Sequence, residues 1–378
     1  MAYPRGKAVG FTFVIPESVE QHVLTVVQLG GSSNLNAMAW SDSCSGAFEK
    51  WADEVGDDTF KFDTVSKYYR KGMNFTPPAN TRSTNATPSY NPALVSQGGP
   101  LDVTYPAYAN SWTTWVAVAM EAIGIKNTDS FINGALNGSA WHTNTINHTT
   151  GTRASADRAY LRPYTQRPNL ALFNGTLAEC VVFNDDKVAT GVEVTVSGNS
   201  YILKANKEVI VAGGVFQSPQ LLQVSGVGPA TLLKNLKIPV VADRPGVGQN
   251  MNDQIFFGVS YRVNIQTGST LSRGEAAAIS VEDFKANATG FLTTPGGEYA
   301  GFEKIPQDLR SKFSAETLKS TFASSAPPSH YLNSNLISKK ANTSCHSPSN
   351  IPSRLARSRI PGHSQLRRQP RHLPCPHR

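Results

Sequence analysis

The 378-residue chain lacks any apolar run of the ~18 residues a helix needs to cross a bilayer, so no transmembrane span is expected. It lacks a Cys-x-x-Cys pair. Cys44, Cys180, Cys345 and Cys375 stand apart, which leaves a zinc site without support, and no metal ligands are assigned. Met1 to Gly10 lack a basic start followed by a long apolar core, so no secretory leader is visible and localisation is not assigned. Charge is also scarce, at 16% of residues against 39% hydrophobic, yet the composition is still that of a globular protein. The most telling absence is of acids: residues 339–378 hold nine Lys or Arg and no Asp or Glu. The net charge of +8 therefore belongs to a tail, and the other 338 residues carry 26 basic and 27 acidic side chains. That distribution speaks against a nucleic-acid or membrane-surface partner. Residues 333–378, rich in Ser, Pro, Arg and His, cannot bury a core. They are expected to be a disordered basic tail, with the composition of out-of-frame or unspliced translation.

The length that remains suits about two domains at ~150 residues each. Apolar residues recur at helical spacing from Gly46 to Val55 and from Phe62 to Tyr69, and Tyr108 to Ile123 reads as an amphipathic helix stopped by Gly124. Residues 72–100 are rich in Pro, Asn, Thr and Gly and read as a long surface loop. From Pro168 the pattern turns to short strands: Leu170–Phe173, Glu179–Phe183, Gly191–Val196 and Tyr201–Ala205. The continuous run Val209–Ala212 suits a strand buried on both faces of a parallel sheet. A helix from Pro219 to Val224, a Gly-rich turn, a helix from Ala230 to Leu236 and a strand over 255–263 follow. Seven Asn-x-Ser/Thr sequons, at Asn74, Asn85, Asn137, Asn147, Asn174, Asn287 and Asn342, lean towards a secreted glycoprotein ancestor.

Two segments carry candidate chemistry. In Gln28 to Trp40, Gly30-Gly31-Ser32-Ser33 combines glycines that permit close backbone approach with hydroxyls that can bind phosphate or ribose, and Asn36 can offer its amide to a polar heterocycle. Taken alone, the tetrapeptide reads first as an ordinary turn ahead of a strand. Gly214 to Gly228 reads as a strand end, a turn, a helix with Pro219 in its first position and a Gly-rich stop, the place where ligands of α/β folds collect. Its plain alternative is strand–turn–helix punctuation.

Together these two segments resemble the characteristic motifs of the glucose–methanol–choline (GMC) oxidoreductases, which use FAD. Further stretches agree: Gly151-Thr152-Arg153 through Leu161, Arg167-Pro168-Asn169-Leu170, and Pro245 to Gln254 with its Gly-Val-Gly-Gln-Asn start. The likeness covers roughly residues 29–310 and is closest to glucose-oxidase-like and aryl-alcohol-oxidase-like members. It implies an α/β fold: an incomplete doubly wound FAD-binding domain over 1–262 and the start of a substrate domain over 263–332. It implies that Ser32 lies near the FAD diphosphate or ribitol. Asn36, Ala37, Met38 and Ala39 would line the flavin, and Ala178 would meet the adenine end through its main chain. Ala212 and Gly213 would end a strand facing the cofactor. The implied reaction is oxidation of a CH–OH group by hydride transfer to flavin, with a small alcohol as substrate and O2 or a quinone as acceptor.

The likeness has gaps. No Gly-x-Gly-x-x-Gly turn precedes Gly30, and Val27 and Val215 replace the family's usual residues. The late histidines His330, His346, His363, His372 and His377 lack the context of the family's catalytic base, and Trp141-His142 and His148 match no catalytic position. No catalytic residue is therefore assigned. The resemblance implies a chain truncated at both ends, and the alternative reading is a catalytically inactive or degenerate fragment.

Overall fold

The computed structural model describes residues 29–251, 253, 258–314 and 316, together with the backbone of strands β1 (Phe11–Val14) and β2 (Glu20–Val23), which pair antiparallel. The tail from 333, the late histidines, Cys345, Cys375, Asn342, Asn252 and Gln254 lie outside the described residues. In chain order the remaining elements begin with β3 (Ala39–Trp40), α1 (Ser45–Val55), α2 (Phe62–Gly72), β4 (Met73–Phe75), β5 (Leu101–Val103) and α3 (Ser111–Ala122). Next come β6 (Gly138–Trp141), β7 (Thr143–Asn144), β8 (Leu177–Phe183), β9 (Ala189–Val196), β10 (Asn199–Lys204) and α4 (Gly214–Val224). The last are β11 (Val227–Gly228), α5 (Ala230–Asn235), β12 (Ala242–Asp243), α6 (Gly274–Asn287), β13 (Tyr299–Phe302) and α7 (Gln307–Arg310). This is the expected mixed α/β class. The described residues fall into two compact units, one drawn from Met1–Leu172 and Gly258–Ser314, the other from Phe173–Phe257 and Ala315–Arg378.

In the first unit, local sequence sets the helices. Gly56 ends α1 in the left-handed region at φ 68°, and Asn110 caps α3 by accepting a hydrogen bond from Trp112 N at 3.1 Å. The amphipathic helices face inward through Phe48 and Ala52 on α1 and Phe62 on α2, and the Phe48 and Phe62 rings lie 5.7 Å apart. The stretch 72–100 differs from the expected surface loop. Its first residues form β4, which pairs parallel with β5. Met73 and Phe75 are buried with Leu101, Val103, Tyr105 and Ile132, each large side chain contributing about 2 kcal/mol of apolar burial. Pro, Asn and Thr set the composition of the stretch, but a single Met-x-Phe alternation is enough to place one short strand in the core.

A buried polar hub braces this unit. Glu298 is fully buried, and its carboxylate accepts hydrogen bonds from Thr113 Oγ1 (2.6 Å), Asn110 N (3.3 Å) and Thr294 Oγ1. Its carbonyl accepts from His142 N at 2.6 Å. Arg82, also buried, donates to the Ala86 and Pro106 carbonyls and lies 4.9 Å from the centre of the Trp141 ring. Burial lowers the Arg82 pKa, and the Glu298 charge opposes that shift.

The second unit is built on an antiparallel meander in the order β10-β9-β8. Three of the four strands read from the sequence after Pro168 are present with small changes of boundary, whereas Leu170–Phe173 forms none. Cys180, Val224, Leu233 and Ile238 make its core. Three further expectations fail here. The run Val209–Ala212 is not a strand, Ile210 is 79% exposed, and Ala212 and Gly213 are exposed too. An apolar run becomes a doubly buried strand only when neighbours pair with it on both sides, and no described strand does. Pro219 is not the first residue of its helix: α4 starts at Gly214, five residues earlier. Its ring removes the donor that would bond to the Val215 carbonyl, and the helix continues at the loss of that one bond. The strand expected over 255–263 is absent from its described part, 258–263.

Candidate cofactor-binding site

The Gly-Ser segment forms one turn of 3-10 helix, Gly31–Asn34, preceded by Gly30 in the left-handed region at φ 92°. Glycine is required at position 30, because a Cβ there would sit 2.6 Å from Asn34 Nδ2 and 3.0 Å from Asp157 Cβ. Ser33 turns inward. Its hydroxyl donates to the Gly30 carbonyl and accepts from Ala156 N at 3.0 Å. Ser32 is exposed, as are Asn36, Ala37 and Ala39, while Met38 is half-buried.

Beyond the turn the backbone is tied at each step. Asn36 Oδ1 accepts from Met38 N at 3.0 Å, which supports Met38 in the left-handed region at φ 61°. The Met38 carbonyl accepts from Thr145 N at 2.8 Å. Ala39 and Trp40 then pair with Asn144 and Thr143. The Trp40 ring anchors the loop by packing on the core of Met73, Phe75 and Tyr105.

The second tie comes from Gly151–Leu161, the stretch singled out by resemblance alone. Arg153 Nη1 donates to the Asn36 carbonyl (2.7 Å), Asn36 Oδ1 (2.8 Å) and the Ser33 carbonyl (3.3 Å). Asp157 lies under Gly30 and pairs with Arg162 at 2.6 Å. Sequence reasoning offered the Ser33 hydroxyl only as one that can bind phosphate or ribose, and had no role for Arg153 or Asp157. The available signal was charge: an Arg and an Asp four residues apart in a Ser- and Ala-rich stretch.

Five of the six proposed contacts, Ser32 and Asn36 to Ala39, thus share one continuous loop. The sixth, Ala178, lies half-buried in β8 of the second unit, opposite Val194 and next to a break in register before Cys180. Ser225 Oγ accepts from Val181 N at 2.8 Å, so the helix-ending Ser225 of the second motif braces this same strand. Among the described histidines, His142 is buried between Phe131 and Phe302, and burial lowers its pKa; His148 is exposed. A cavity of about 270 Å³ opens beside α3, lined by Asn85, Trp115, Val118, Glu121 and Tyr299, and it holds no paired base and nucleophile.

An exposed loop that offers a hydroxyl, a carboxamide and small methyl groups, held from behind by the half-buried Arg153 and Ser33, has the chemistry of a binding site for a polar aromatic cofactor. On a mixed α/β frame, this is the class of the dinucleotide-dependent oxidoreductases. Residues 17–256 match the GMC oxidoreductase family, and the chain belongs to it. It is 50% identical over 292 residues to the glucose-methanol-choline family oxidoreductase mfmG of Annulohypoxylon moriforme, covering 77% of this chain and 48% of that protein. It is 43% identical to patulin synthase of Penicillium expansum, over 75% of this chain and 45% of that one. An FAD-dependent oxidoreductase from Chaetomium thermophilum shares its fold with a TM-score of 0.73 and 25% identity, over 85% of this chain and 58% of that one. The chain therefore spans about half the length of the curated relatives it matches. FAD is the cofactor that accompanies this family assignment. The exposed donors at Ser32 and Asn36 and the small side chains at Ala37 and Ala39 fit it.

Proposed function

We propose that the chain is the FAD-binding part of an oxidoreductase acting on the CH–OH group of a small alcohol, with O2 or a quinone as electron acceptor. The observation that carries this reading is the clamped loop, in which Ser32, Asn36, Ala37 and Ala39 are exposed while Ser33 and Arg153 tie the backbone from behind. In this reading Ser32 hydrogen-bonds the diphosphate–ribitol region of FAD, and Asn36, Ala37, Met38 and Ala39 line the flavin. Ala178 meets the adenine end through its main chain. Residues 1–262 are the FAD-binding domain and 263–332 the start of the substrate domain. FAD supplies the hydride acceptor; the described residues bind and orient it, and none is assigned as the base. Secretion and glycosylation belong to the same proposal, with Asn85, Asn137 and Asn174 as exposed acceptor sequons.

The test is the visible spectrum of the purified full chain after equilibration with FAD and removal of excess cofactor. Flavin bands that remain with the protein are the expected result, and a colourless product sinks the reading. Bound flavin that stays oxidised under anaerobic incubation with a panel of primary alcohols would instead mark a cofactor-binding chain without alcohol chemistry.

A further inference from the structure

We infer that Arg153 is a positioning residue, which locks the Gly30–Ala39 loop and turns the Asn36 carboxamide so that its NH2 group, not its oxygen, faces outward. The inference rests on reading this loop as flavin-contacting, and adds a residue and a direction to that reading.

Three observations carry it. First, Arg153 Nη1 reaches three acceptors on the loop, the Asn36 carbonyl, Asn36 Oδ1 and the Ser33 carbonyl, at 2.7, 2.8 and 3.3 Å. A guanidinium nitrogen has no lone pair to offer, so every group it touches must accept. Second, Met38 N–H also points at Asn36 Oδ1, at 3.0 Å. Two donors converge on the same amide atom, and that atom must be the oxygen. The amide orientation, so often ambiguous, is fixed here by its neighbours. Third, Asn36 is exposed and its Nδ2 makes no hydrogen bond within the described residues. The outward group is therefore a donor.

The ligand chemistry follows. The loop suits a heterocycle edge that presents carbonyl oxygens or unprotonated ring nitrogens, and does not suit an N–H edge at this position. Arg153 does not need to touch the ligand for this. All three bonds leave one nitrogen of the guanidinium, so a lysine ammonium reproduces them only as far as its different length and tip geometry allow.

The test has a cofactor-free arm and a cofactor arm, both on the full chain. In the first, hydrogen exchange of the Met38 and Ala39 amides is compared in the unaltered chain, Arg153→Ala and Arg153→Lys. Exchange about tenfold faster or more in Arg153→Ala, with partial recovery in Arg153→Lys, is the expected result. Equal exchange in all three overturns the clamp. In the second arm FAD affinity is measured for the same chains and for Asn36→Asp, which keeps an inward acceptor for Arg153 but replaces the outward donor. Asn36→Asp is expected to keep slow exchange while losing at least tenfold in FAD affinity. Unchanged affinity overturns the assigned direction. If the unaltered chain binds no FAD but the exchange difference is present, the cofactor reading fails and the clamp stands.

Discussion

The two stretches that carry the family's motifs solve the same problem in opposite ways. The loop at Gly30–Ala39 is short and polar, and its order comes from ties within its own unit: Arg153 and Ala156 from one side, Thr145 from another, Trp40 at its end. The approach to the second motif, Val209–Gly213, is the more hydrophobic of the two, yet it lies exposed and outside any described strand. Among the described residues, the polar segment finds partners at each step and the apolar one stays largely exposed. Hydrophobicity states what a segment needs, and neighbours decide whether it is met.

That contrast can be broken or sharpened by substitution. The largest effect is expected at the hub that braces the first unit. Glu298→Ala leaves Thr113, Thr294 and Asn110 N without their acceptor and Arg82 without the nearby charge, and should lower unfolding stability by about 3–5 kcal/mol in a urea titration. Next is Leu233→Ala, which opens a cavity in the core of the second unit and should cost about 2–4 kcal/mol. A smaller loss at Leu233 than at a surface leucine would show that this core is not packed as described.

The third prediction concerns pH, where two buried groups near Phe131 act with opposite sign. Burial raises the Asp42 pKa from 3.8 to about 6, partly offset by Arg70. Between about pH 4 and 6 the folded state holds a proton that the unfolded chain has released, so this contribution is full below pH 4 and is lost as pH rises through 6. His142, lowered by burial, is neutral when folded, and its contribution is lost as pH falls below its ordinary value of 6.5. Asp42→Asn should therefore raise stability at pH 8 by roughly 1–3 kcal/mol and leave it nearly unchanged at pH 4. His142→Phe should flatten the acid side of the profile. Thermal melts across pH 4–8 check both. The smallest effect is expected at the exposed run: Ile210→Thr should shift stability by less than about 0.5 kcal/mol. A loss of 2 kcal/mol there would mean that this side chain is covered in solution and would overturn the contrast.

What the sequence made legible follows the same division. α1, α2 and α3 were readable because their signals are local: apolar residues at helical spacing and, after α3, the stopping Gly124. The meander β8–β10 was readable from short alternating runs. The buried strand Met73–Phe75 was not, because its partner β5 lies beyond a stretch of loop-like composition. Glu298 and Arg82 were invisible for a related reason: a lone charged residue reads as surface until the fold surrounds it. At the Gly30–Ala39 loop the exposed residues were singled out by likeness to a family. The inward ones, Ser33, Arg153 and Asp157, needed the geometry, because a clamp is a relation between segments more than a hundred residues apart.

One feature of the first unit bears on the protein's passage through a cell. Asp102 accepts hydrogen bonds from the side-chain nitrogens of both Asn74 and Asn147, at 2.9 and 2.6 Å. Each is the acceptor asparagine of a sequon, and one N–H of each attachment atom is already engaged in the folded state. If the proposed glycosylation occurs, a glycan on either nitrogen would replace one of its two hydrogens, and its addition to the folded chain would compete with the bond to Asp102. Occupancy at Asn74 and Asn147, measured against the exposed Asn85, would thus act as a stopwatch, recording how often the sugar-transfer machinery outruns folding.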